Sequence, residues 1–150
     1  MVLQAGCVTG RRELTLTAPT DASVKGATVG RVFLATVTDD RQFQNKPGDP
    51  STPSIDGDVT KLSTEDKDRM VGRQRNGFGH AMGDVSLAGN DSVTKEVRSL
   101  VKQGLQRNDY RLTQDSDAPN VMKISTTEFW SWTPAATQDA SPMAGSKYLT

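Results

Sequence analysis

DSVTKEVRSLVKQGLQRNDYRL, residues 91–112, decides the fold. Val93, Val97, Leu100, Val101 and Leu105 recur at three-to-four spacing, which places them on one stripe of a helix, while Lys95, Arg98, Lys102 and Gln106 fall off it. Asp91-Ser92 supplies an N-terminal cap, and Asn108 suits the C-terminal stop. A helix over about 93–107 is predicted, with Tyr110-Arg111-Leu112 running on as extended chain. Such a stripe has to lie on something apolar. TVGRVFLATVT (residues 28–38) is the best strand available, closed by Asp39-Asp40-Arg41. Its Val29, Val32, Phe33, Leu34 and Val37 are nearly continuous, as in an interior strand covered on both faces.

The other segments are arranged around this pair. Glu13-Leu14-Thr15-Leu16-Thr17 alternates like a strand and stops before Pro19. Residues 42–62 carry Pro47, Pro50 and Pro53 among Gly, Asp and Ser, and read as a long irregular loop. Ser63-Thr64-Glu65-Asp66 resembles a capping box, opening a short polar helix that runs to Met70 or Val71. Residues 72–90 hold five glycines and read as a second loop. Val121 to Trp132 is extended again, with Met122, Ile124 and Thr126 on one face. The expected class is therefore α+β: a mixed or antiparallel sheet of three to five strands, one long amphipathic helix across one face, and long irregular loops. Residues 1–12 form a leader remnant and spacer and 13–133 the domain. The Ala-, Ser-, Thr- and Pro-rich residues 134–150 read as a flexible tail.

Eighteen basic and eighteen acidic residues give a net charge of zero. Nucleic-acid binding needs a clustered positive face that displaces counterions, so that class is not expected. No apolar run approaches the roughly 20 residues that span a bilayer. The single cysteine permits no intrachain disulfide and no cysteine-rich metal site.

That cysteine has a particular context. Leu3-Gln4-Ala5-Gly6-Cys7 has the small residues and the following thiol of a bacterial lipoprotein cleavage site. Cys7 would then be the first mature residue, carrying diacylglycerol and palmitate. The charged and apolar parts of a signal peptide do not precede it, so the leader is expected upstream of Met1.

The remaining constellations are weaker. Gly72-Arg73-Gln74-Arg75-Asn76-Gly77 has the glycine spacing of a P-loop, but Phe78-Gly79 stands where Lys and Ser or Thr must act. His80 is the only histidine, and no Gly-x-Ser-x-Gly elbow presents a nucleophile to it. Asp84 lies one helical turn from His80 and is the residue that would orient it. No metal is expected, because one histidine with scattered carboxylates does not make three or four converging ligands. Asp56-Gly57-Asp58 likewise lacks the alternating ligands of a calcium loop. Arg69, Arg73 and Arg75 form the densest basic cluster, able to hold an anion or a lipid headgroup through the guanidinium fork. The plainer reading pairs them with Glu65, Asp66 and Asp68. Phe129, Trp130 and Trp132 end a strand, with Trp130 and Trp132 on one side and Phe129 on the other. They belong either to the core or to a partner or membrane-interface patch.

The Ala-Gly-Cys start, TVGRVFLATVTDDR, NKPGDPSTPSIDGDV, GRQRNGFGHAMGDVSL, the 91–112 segment and the EFWSW end together resemble the uncharacterised YajG-like outer-membrane lipoproteins of Gram-negative bacteria. The likeness covers most of residues 7–132, after which ATQDASPMAGSKYLT departs from the further sheet and helix of that family. The resemblance implies a small α/β envelope protein without assigned enzymatic activity, anchored in the outer membrane through Cys7 and facing the periplasm; no enzymatic activity and no cofactor are expected. The candidate partner or ligand surface is Arg73, Arg75, His80, Trp130 and Trp132. Two alternatives stand beside an accessory or binding protein: a scaffold that self-associates through a sheet edge or the tryptophans, and a hydrolase using the 72–90 loop.

Overall fold

The computed structural model describes residues 10–17, 28–76, 78, 80–132 and 145–148. Eight strands and two helices follow one another as β1 (Arg12–Leu14), β2 (Gly30–Asp39), α1 (Thr64–Arg69), β3 (Met70–Arg75), β4 (Ala81–Leu87), α2 (Val93–Arg107), β5 (Tyr110–Thr113), β6 (Asn120–Thr126), β7 (Phe129–Trp132) and β8 (Gly145–Tyr148), with a 3₁₀ turn at Val59–Lys61. The strands divide between two sheets, ordered β1-β4-β3-β7-β8 and β5-β2-β6. The class is α+β, as the sequence implies.

In the smaller sheet β2 pairs in parallel with both β5 and β6. A strand flanked on both edges by parallel neighbours is expected to be rich in branched apolar residues, as β2 is. Its burial nonetheless alternates, with Val32 and Leu34 buried and Arg31 and Thr36 exposed. The larger sheet is mixed. Its β3 and β4 form an antiparallel hairpin, whereas β1 runs parallel to β4, and β3 parallel to β7.

This hairpin overturns the reading of residues 72–90 as a loop. Two of the glycines that suggested a loop are sites of close approach between backbones. A Cβ on Gly83 would lie 2.0 Å from the carbonyl oxygen of Gly10, and one on Gly72 would lie 2.7 Å from Ser131 Oγ. Only glycine lets β1 and β7 come so near their neighbours. The extended 121–132 segment is likewise two strands, because the chain leaves the smaller sheet after Thr126 and joins the larger one at Phe129. β8, paired antiparallel with β7, falls within the 134–150 stretch read as a tail. The rest of that stretch, and Cys7, lie outside the described residues.

Helix α2 has the predicted bounds. Ser92 Oγ accepts from the Lys95 N–H at 3.4 Å, Asn108 Nδ2 donates to the Gly104 carbonyl at 2.8 Å, and Asp109 turns the chain with φ 61°. A second carboxylate supports the start: Asp68, at the end of α1, accepts from Thr94 N at 2.9 Å and Oγ1 at 2.6 Å. At α1 Ser63 caps the helix as read, its Oγ accepting from the Asp66 N–H at 3.0 Å, while the Asp66 carboxylate reaches back to the Ser63 hydroxyl (3.0 Å) in place of the backbone N–H of a full capping box. Val93 and Val97 of α2 are fully buried among Val71, Val85, Leu87 and Phe129 of the larger sheet, with Val37 and Ile124 of the smaller sheet packed against them. Each such side chain contributes roughly 1.5–3 kcal/mol by leaving water.

The DDR triplet that closes β2 joins the halves of the molecule. Arg41 is 6 % exposed. Its Nε and Nη2 clasp both oxygens of Asp39 at 2.6 and 2.7 Å. Nη1 donates to the carbonyls of Met70 (2.6 Å) and Phe129 (2.7 Å), and Nη2 also to that of Lys67 (2.9 Å). All five N–H donors of the guanidinium are thereby used, on β2, α1, β3 and β7.

Candidate functional site

The β3–β4 hairpin and the irregular segment after β2 enclose a cleft of about 790 Å³. Its basic lining is Lys46, Lys61, Arg73, Arg75 and His80, and its acidic lining is Asp56 and Asp58. Four lysines and arginines against two aspartates leave the cleft net positive, although the whole chain is neutral. Strand periodicity accounts for part of this, since Arg73 and Arg75 are two residues apart on β3 and share a face. His80 immediately precedes β4 and returns to the same end of the hairpin. Its N–H donates to Asn76 Oδ1 at 2.9 Å, and its carbonyl accepts from the Asn76 N–H at 3.0 Å.

Arg73 is the fixed member. It pairs in register with Asp84 across the hairpin. Arg73 Nε lies 3.4 Å from Asp84 Oδ1, both side chains being 8 % exposed, and Nη2 lies 3.6 Å from Asp56 Oδ1. Asp84 also accepts from the Asp56 N–H at 2.8 Å, so one buried carboxylate orients the arginine and pins the loop. The hydrogen-bond capacity of Arg73 Nε remains unsatisfied among the described residues, the Asp84 contact being an ion pair only. Asp84 therefore belongs to Arg73 and the 56–58 turn, and does not orient His80. At the opposite wall, Asp58 caps the 3₁₀ turn. The Thr60 N–H and hydroxyl bonded to its carboxylate hold it below the usual carboxylate range, and the cleft keeps that charge at neutral pH. Lys46, at φ 47°, occupies the left-handed region that non-glycine residues rarely adopt.

The basic cluster read from the sequence is split. Arg69 faces away from the cleft, donating to the Leu87 carbonyl at 2.9 Å and pairing with Glu13 at 3.2 Å. The acidic partners of Arg69 and Arg73 thus come from other strands and turns, and not from Glu65, Asp66 or Asp68. Arg73, Arg75 and His80 are brought together. Lys46 and Lys61 were missed, because nothing local in the proline-rich segment signals that it folds back on β3.

The tryptophans do not join them. Trp130 is 4 % exposed, packed with Ile55 and Met70, with Phe43, Val59, Leu62 and Trp132 against this cluster. Its indole N–H donates to the Pro50 carbonyl at 3.3 Å, and the Phe43 ring meets it edge-on with centroids 5.9 Å apart. The proposed aromatic surface is corrected on that account: Trp130 faces the side opposite Phe129, as read, but the 42–62 segment covers that side. Trp130 and half-buried Trp132 border a second cavity, of about 440 Å³, next to Asp40 and Glu128.

Asp40 provides a test by pH. Hydroxyl bonds from Ser125 and then Thr38 pull its carboxyl below its ordinary value of 3.8. A carboxyl depressed on folding contributes stability that is fully present above the unfolded value and lost as the pH falls through the folded one. Asp40→Asn should therefore lose less stability than the wild type on acidification below 3.8, as read by urea midpoints at neutral and acid pH.

Among the described residues no group of three His, Cys, Asp or Glu is placed to hold a metal ion, and no helix is long and apolar enough to cross a membrane. Compared with protein-family models, with curated proteins and with solved structures, the chain matches none.

Proposed function

We propose that this chain is a non-enzymatic envelope lipoprotein, tethered through Cys7 to the outer membrane and facing the periplasm, which binds an anionic ligand in the basic cleft. The observation that carries the binding role is the convergence of Lys46, Lys61, Arg73, Arg75 and His80 on one concavity. Guanidinium presents paired donors that match a phosphate or carboxylate group. Asp84 holds Arg73 in place beforehand, which lowers the ordering cost of binding. The anchor rests on Ala5-Gly6-Cys7 and on the likeness to YajG-like lipoproteins. A scaffold assembled through Trp130 has less support, because that side chain already fills a core.

The test is a titration with inorganic phosphate followed by NMR of the Arg73, Arg75 and His80 side chains. Saturable shifts are expected, weakened about tenfold or more in Lys46→Gln/Lys61→Gln, a pair of exposed positions whose change spares the fold. Shifts that never saturate, or that the double variant leaves alone, would overturn the binding role.

A further inference from the structure

Between β3 and β4 stands a large apolar side chain exposed to solvent. Phe78 is 88 % exposed, above the exposure of Val29, Val121 and Leu16. Its turn is braced: Asn76 Oδ1 accepts from the Phe78 N–H at 3.0 Å and from the His80 N–H at 2.9 Å. One side chain thus holds the backbone N–H groups of both Phe78 and His80. It stands in the chain between Arg75 and His80, which line the basic cleft together with Lys46 and Lys61. An exposed aromatic next to a basic cleft matches the boundary of an anionic bilayer, where aromatic rings settle at headgroup depth and each nearby Lys or Arg adds about 1 kcal/mol.

The course of the N-terminal chain points to the same end. Gly10 donates its N–H to the Met82 carbonyl at 3.3 Å, and its own carbonyl abuts Gly83. β1 runs parallel to β4, so the chain enters the sheet at the β4 end nearest the turn, with exposed Arg11 and Arg12 immediately inside. Only Val8 and Thr9 lie between Cys7 and Gly10, three chain steps with a reach of at most about 11 Å. A lipid on Cys7 brings the bilayer to the neighbourhood of the Phe78 turn.

We infer that the turn between Asn76 and His80 is a second membrane contact, with Phe78 entering the interface of an anionic leaflet and Arg11 and Arg75 engaging its phosphates. The anchor and the turn then fix the orientation of the domain on the membrane. This rests on the lipidation reading, so the experiment separates the two. Because Cys7 is the only thiol, full-length Phe78→Trp is coupled through it to a maleimide lipid in vesicles of phosphatidylethanolamine and phosphatidylglycerol. Its emission is read as the difference from the wild type, tethered in the same way. A blue shift, with quenching by brominated lipid, is expected. Untethered protein should co-sediment with the same vesicles about tenfold less after Phe78→Ser. An emission unmoved by tethering overturns the inference, and so does equal quenching in phosphatidylcholine alone. Binding of the untethered chain that Phe78→Ser leaves unchanged assigns the turn to a protein partner and likewise overturns it. In cells, loss of fatty-acid labelling in Cys7→Ser supports the anchor, and absence of labelling in the wild type removes the anchor alone, whatever the vesicles show.

Discussion

Arg41→Ala is expected to lower the unfolding free energy by about 3–5 kcal/mol. That is a large share of the roughly 5–15 kcal/mol that holds a domain folded. The variant takes the guanidinium from the carboxylate of Asp39 and from the carbonyls of Lys67, Met70 and Phe129. Asp39 keeps the backbone N–H of residue 41 at 3.3 Å and Lys67 the Met70 N–H, so the loss falls mainly on the buried charge of Asp39 and on the strand carbonyls. Buried acceptors without partners cost about 1–3 kcal/mol each, and the vacated space adds to this. Lysine should recover little, because a single ammonium cannot grip both oxygens of Asp39 and also reach three carbonyls. Urea unfolding followed by far-UV circular dichroism measures the loss. A midpoint within 0.5 kcal/mol of wild type, the range of ordinary surface changes, would mean that Arg41 does not hold these segments together.

Trp130→Ala carries the second large effect, about 3–5 kcal/mol. The indole is 4 % exposed and holds Phe43, Ile55 and Met70 in one cluster. Its loss removes the floor on which the 42–62 segment rests, and the Pro50 carbonyl loses its N–H donor. The same measurement decides between core and surface, because a tryptophan waiting for a partner would cost the monomer almost nothing when truncated. The cleft should suffer with it, since Ile55 adjoins Asp56 and both belong to the cleft wall.

Local signals in the sequence were dependable where the physics is local. Ser92 and Asn108 bound α2, and Ser63 with Asp66 opens α1, because caps satisfy groups a few residues away. The apolar run of β2 announced an interior strand. The hairpin was hidden because Gly72 and Gly83 exist for Ser131 and Gly10, positions remote in sequence. Arg41 looked like the polar end of a strand, since two of its acceptors lie 29 and 88 residues downstream. Within the site, Arg73, Arg75 and His80 were visible as a cluster, while Lys46 and Lys61 needed the long segment to fold back. The pairing of Arg73 with Asp84 was legible only once β3 and β4 were known to face each other.

The reach of Arg41 also sets an order of events. The last carbonyl it binds belongs to Phe129, 88 residues later in the chain. A nascent chain growing from its N-terminus therefore carries a guanidinium that cannot be buried without cost until β7 has been made. Burial of that side chain waits on a non-local contact, and such contacts repay the entropy of loop closure only after the loop exists. β7, only four residues long, thus supplies the last of the acceptors that satisfy Arg41 in its buried position.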